Sequence, residues 1–127
     1  MSKEEKVCLN VIIGMINYAT EEILKFDDEF KNKLEGVSEV VQWKIGNDIA
    51  YYTEIKEKNI KGYDGIATNP TITFEISSEE SALKVLTGKI DMAKLGKEIK
   101  ISGDASKIQK LAIVMDTVRN YIGDLAA

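Results

Sequence analysis

At Ser38 the hydrophobic period of this chain changes from between three and four residues to two. One element cannot satisfy both periods, so a helical segment must give way there to strands. Before the change, Cys8, Ile12, Met15, Ala19, Ile23, Phe26, Phe30 and Leu34 recur at steps of three or four. The spacing predicts a helix over about 4–34, with 25–27 as the place where it would break and Gly36 as its stop. Val11, Ile13 and Ile16 broaden the stripe, which predicts burial on more than one side. Cys8, on the stripe, is expected to pack as a small apolar residue.

After the change, Val41, Trp43 and Ile45 alternate with polar residues up to a Gly46-Asn47-Asp48 turn. Ile49, Tyr51, Thr53 and Ile55 continue the alternation, which predicts a β-hairpin. Glu57-Lys58-Asn59 is a second turn, and 60–63 a short third strand. Asn69-Pro70 opens a fourth, with Ile72, Phe74 and Ile76 on one face. Ser77 and Glu80 have capping-box spacing ahead of a helix carried by Ala82, Leu83, Val85 and Leu86 to Gly88. A short helical or irregular segment over 90–95 leads to a fifth strand, 98–102, with Ile99 and Ile101 on its apolar face. Asp104 would cap a last helix striped by Ile108, Leu111, Ala112, Met115, Val118 and Ile122.

Short turns favour antiparallel pairing, and strands apolar on one side need a covering layer. The expected fold is therefore α+β in two layers. A five-stranded, mainly antiparallel sheet has helices over one face, in a single domain spanning 1–127 with an amphipathic N-terminal helix.

Reactive chemistry is scarce. Histidine is absent, which removes the commonest general base and transition-metal ligand. Cys8 is the only cysteine, so neither an internal disulfide nor a cysteine zinc site is expected, and a reducing cytoplasm is. Asp27-Asp28-Glu29 fans around a helix and reads as a solvated face. Gly62 and Gly65 lack a dinucleotide-binding context, and no phosphate loop or other cofactor signature is present. Ser102 and Ser106 have only lysines near them to serve as a base. A net charge of −4 argues against nucleic-acid binding. The apolar run 7–16 is too short by itself to span a bilayer, so no integral membrane span is expected.

From Val37 onward the chain resembles the sterol carrier protein 2 family of lipid-binding domains. Gly88-Lys89-Ile90-Asp91 and Ile99-Lys100-Ile101-Ser102-Gly103-Asp104 carry the likeness, with the hairpin and the Pro70–Ser77 strand beside them. Met92 stands where the family has proline, and the segment after it is shorter. The resemblance implies a hydrophobic tunnel between sheet and helices, no catalytic residues, and a fatty acid, sterol, acyl-CoA or isoprenoid lipid as guest.

Apolar residues on the converging faces give the same expectation a physical form. Trp43, Tyr51, Phe74, Leu83, Leu86, Met92, Leu95, Ile101, Leu111 and Met115 would wall the cavity. Burying ~400 Å² of guest is worth roughly 10 kcal/mol, against association costs of at least ~4 kcal/mol. The expected function is non-enzymatic binding or transfer of a hydrophobic small molecule. The alternative is a structural module that dimerises through its N-terminal helix without a ligand.

Overall fold

A computed structural model describes residues 2–86, 89–90 and 92–126, with the side chains of Met92, Ala93, Ala105, Ile122 and residues 124–126 left aside. Helix α1 runs Lys3–Phe26 and α2 runs Asp28–Lys33. Ser2 caps α1 by accepting from Glu5 N–H at 3.1 Å. The break falls at Asp27, inside the expected window, because its carboxylate leaves the helix to accept from Phe30 N–H at 2.9 Å and so starts α2. The acidic run thus contains a working cap as well as a solvated face.

The buried face of α1 is rotated from the stripe expected and shares only part of it. Leu9, Ile13, Thr20 and Ile23 are buried, of which Ile23 is on the stripe and Ile13 on its widened side, whereas Cys8, Val11 and Met15 are exposed and Phe26 is 82% exposed. Both sides of this helix are apolar at helical spacing, and periodicity alone cannot choose between them. The helix is also long and apolar enough, by length and composition, to cross a membrane. In the folded chain its inner face lies instead against β3, α3 and α4.

The strands are β1 (Glu39–Ile45), β2 (Ile49–Lys56), β3 (Asn59–Asp64), β4 (Ile72–Ile76) and β5 (Ile99–Gly103). They form one sheet in the order β3-β2-β1-β4-β5. Three pairings are antiparallel, and β1 with β4 is parallel. That parallel pair forces a crossover from β3 to β4, and the chain makes it with residues 65–71 across the sheet's outer face. Gln42 holds the crossover there. It is only 1% exposed although it sits on the outer face. Its amide nitrogen donates to Tyr51 O at 3.1 Å and Gly65 O at 3.0 Å, and its oxygen accepts from Ala67 N–H at 2.7 Å.

The inner face carries Val41, Trp43, Ile45, Tyr51, Ile55, Ile60, Ile72, Phe74 and Ile76, all buried. Helix α3 (Glu79–Leu86) and α4 (Ile108–Ala126) join α1 over this face. The cap of α3 is Ser78, one residue later than expected: its hydroxyl accepts from Ser81 N–H at 3.1 Å. Ser77 is used otherwise, its N–H donating to Glu98 O at 2.9 Å. The expected stop at Gly88 lies outside the described residues. A 3-10 segment, Met92–Glu98, is interrupted at Gly96, where φ is 56°. Strand β5 ends at Gly103 with φ 99°, and a Cβ there would stand 2.4 Å from Thr71 O. Asp104 then accepts from Ser106 N–H at 3.0 Å, shaping a 3-10 turn, Ala105–Lys107, before α4 begins.

Candidate functional site

Helix α4 roofs the middle of the sheet and is fastened at both ends. At its start, Lys107 Nζ lies 3.2 Å from the carboxylate of buried Glu39 on β1. Towards its end, the Tyr121 hydroxyl donates to Asp27 at 2.6 Å, at the α1–α2 corner. That bond, and after it the Phe30 N–H, hold the Asp27 carboxyl below its usual range, while the bond to Asp27 and burial push the Tyr121 hydroxyl up.

Beneath this roof the layers do not close completely. A cavity of about 290 Å³ lies between β1–β3 and the helices α1, α3 and α4. For scale, a ~150 Å³ apolar cavity holds one benzene. The floor is Val41, Trp43, Tyr51, Thr53, Ile55 and Ile60. Helix α1 contributes Ile13, Ile16, Asn17 and Thr20, α3 contributes Val85 and Leu86, and α4 contributes residues from Leu111 to Arg119. The roof is apolar until its last turn over the cavity, where Asp116 and Arg119 form an ion pair.

Five of the ten residues expected to form the wall line this cavity: Trp43, Tyr51, Leu86, Leu111 and Met115. Phe74 is fully buried one strand away, stacked on Trp43 with ring centroids 4.6 Å apart, so it supports the floor without lining it. Leu83 packs half-buried against the core and Leu95 is buried, neither at the cavity. Ile101 is 42% exposed. It does share the inner face, opposite Phe74, but β5 is an edge strand and its far end is left uncovered. The Met92 side chain lies outside the described residues.

The wall contributed by α1 was missed, for the reason given above: the opposite side of that helix looked equally apolar. Asn17 had no apolar signal to draw attention to it. The structural clue is Gly62 on β3, where a Cβ would come within 2.5 Å of the Asn17 amide nitrogen. Glycine there lets α1 lie close to the strand with Asn17 folded over it. Asn17 also borders a second, more polar cleft of about 660 Å³ that runs along β2 and β3 past Asp48 and Asp64.

Tyr51 stacks nearly parallel to Trp43, with centroids 6.1 Å apart and planes 8° from each other. Burial pushes its hydroxyl well above the ordinary phenol range, so it stays protonated at any working pH. Among the described residues, no group of three or more histidine, cysteine, aspartate or glutamate side chains could hold a metal ion.

An open five-stranded sheet with helices over one face is an α+β fold, here with an apolar cavity between the layers. The sequence profile of the SCP-2 sterol transfer family matches residues 20–116, and the chain belongs to that family, whose general business is binding or transferring lipid. The match begins within α1, so the first turns of that helix are additional to it. Similar folds include the sterol carrier protein domain 2 of Helicoverpa armigera, with 21% identity over 86% of this chain and 88% of that one and a TM-score of 0.66. The apo sterol carrier protein 2 of Yarrowia lipolytica has 13% identity over 87% and 91%, with a TM-score of 0.68. Palmitated SCP2L2 from Aedes aegypti has 24% identity over 91% and 95%, with a TM-score of 0.59. At these identities the likeness is one of fold. A search of curated proteins found no match.

Proposed function

We propose that this chain is a non-enzymatic carrier holding one hydrophobic small molecule, of fatty-acid, sterol or isoprenoid kind, in the cavity beneath α4. The observation that carries the reading is the void itself: about 290 Å³ walled chiefly by Ile, Val, Leu, Met and aromatic side chains, in a chain of a lipid-transfer family. Each methylene moved from water into such a wall is worth ~0.8 kcal/mol, so a chain of ~12 carbons gains roughly 10 kcal/mol. Association costs of at least ~4 kcal/mol leave a dissociation constant in the tens of micromolar, loose enough for release to an acceptor. The palmitated Aedes aegypti domain, a similar fold, supports a long alkyl chain as the guest. Action in the cytoplasm belongs to the same proposal and rests on the single, unpaired cysteine.

Trp43 is the only tryptophan and forms part of the cavity floor, so it reports on any guest. Alkyl compounds carrying bromine at the tail should quench its fluorescence saturably, at about one per chain. Failure of every such compound to quench would dispose of the carrier reading.

A second reading is favoured by the outer side of α1, where Val7, Val11, Met15 and Tyr18 form an exposed apolar stripe. Its proposed occupant is the same stripe of a second copy. Light scattering tests this: a dimer mass that falls to monomer in Val11→Glu would support it. A monomer mass for the unaltered chain would end it. Deleting 1–34 would not be a clean test, because Leu9, Ile13, Ile23, Phe30 and Leu34 belong to the core.

A further inference from the structure

The oily wall is interrupted on its α1–β2 side by three hydrogen-bonding groups. Tyr51 and Thr53 stand two residues apart on the inner face of β2, hence ~7 Å from each other along the strand. Gly62 is directly opposite Thr53 across the antiparallel pair, at a spacing of ~5 Å, and the Asn17 carboxamide lies on Gly62. The Asn17 amide and the Thr53 hydroxyl therefore share one patch of wall, with Tyr51 the next side chain along.

None of the three side chains makes a hydrogen bond to any described residue. Tyr51 is only 7% exposed as a residue. Among the described residues the fully enclosed side-chain polar atom without a partner is Oε2 of Glu39, so these three groups keep contact with open space, which a guest in the cavity would fill. A guest that offers them no hydrogen bond forfeits the ones they can make to water there. Of the other polar lining, Thr20 donates to Ile16 O at 2.8 Å, Asp116 and Arg119 neutralise each other, and the Trp43 indole N–H makes no hydrogen bond to a described residue. The cavity thus has hydrogen-bonding capacity to spare and no charge to spare.

We propose that the guest carries an uncharged hydrogen-bonding group, an alcohol or a carbonyl, which docks on Asn17, Thr53 and Tyr51. On this view, which rests on the carrier reading above, the cavity prefers such an amphiphile to a bare hydrocarbon and to a carboxylate. A hydrocarbon leaves the three groups unsatisfied. A carboxylate has to shed its water without meeting an unpaired cation.

The test compares 12-bromo-1-dodecanol, 1-bromododecane and 12-bromododecanoate by quenching of Trp43, in the unaltered chain, Thr53→Val and Tyr51→Phe. Both substitutions keep the shape of the wall, and Tyr51→Phe keeps the stack on Trp43. The unaltered chain should bind the alcohol about tenfold more tightly than either other compound. Each variant should lose about three- to tenfold in affinity for the alcohol and gain affinity for bromododecane, a reversal that a purely structural defect would not produce. Equal binding of alcohol and bromoalkane, or a preference unchanged by both variants, overturns the proposal while leaving the carrier intact. Tightest binding of the carboxylate also overturns it, by shifting the head group to Arg119. Absence of quenching by all three overturns the carrier reading and this inference with it.

Discussion

Replacing Ala112 by phenylalanine separates a true void from a merely loose core. Ala112 is on the α4 roof and lines the cavity. If the space beneath it is empty, a phenyl ring can enter. Since a ~150 Å³ cavity accommodates benzene, the ring would take up roughly half of the available 290 Å³. Cavity volume costs about 24 cal/mol per Å³, so filling ~150 Å³ returns up to ~3.6 kcal/mol. Fixing the ring and straining its neighbours takes back about 1–3 kcal/mol. The net expectation is a gain of about 0.5–2.5 kcal/mol. For a domain of this size that is a rise in Tm of about 2–10 °C, read by thermal and urea unfolding under circular dichroism. The same variant should lose quenching of Trp43 by 12-bromo-1-dodecanol, because the guest's space is taken. A closed core predicts the opposite sign, since overpacking costs about 1–3 kcal/mol. A destabilised variant that still bound the alcohol would refute both the void and its use.

Other consequences can be checked on the same instruments. Gln42→Leu removes the hydrogen bonds that pin the 65–71 crossover and strands buried backbone partners, so unfolding in urea should show a loss of about 2–4 kcal/mol. Gly103→Ala sets a Cβ against Thr71 O at a φ of 99°, and should cost at least ~2 kcal/mol or prevent accumulation of soluble protein. The Asp27 carboxyl is depressed in the folded state, chiefly by the Tyr121 hydroxyl and then by Phe30 N–H. Its stabilising contribution is therefore present above about pH 4 and lost as pH falls through the folded value. The urea midpoint of Asp27→Asn should accordingly fall less between pH 5 and pH 2.5 than that of the unaltered chain, and equal slopes would remove this group from the acid response.

Much of the architecture was legible because period and turn chemistry act locally. Alternation along 41–45, 49–55 and 72–76 put Trp43, Tyr51 and Phe74 on the inner face, where they lie. Gly36, the turn after Ile45 and the break before α2 were likewise local decisions of backbone geometry and capping. The site was only half legible. Trp43, Tyr51, Leu86, Leu111 and Met115 border the cavity, whereas Phe74, Leu83, Leu95 and Ile101 have similar character and do not. Apolar side chains at core spacing qualify equally for filling a core and for walling a gap in one.

The sequence by itself determined the elements, their order and the apolar side of each strand, since those follow from residue type and spacing along the chain. Tertiary structure alone decided which of two apolar sides α1 would bury, because that depends on what the other layer presents to it. It also decided that Gln42, a polar residue on the outer face, would be buried, since the residues it meets come from a crossover 23 and 25 positions away. Last, it decided that the layers under α4 would stop short of contact. A void is set by how far apart rigid elements are held, here by Lys107 on Glu39 and Tyr121 on Asp27, and no single stretch of sequence contains that distance.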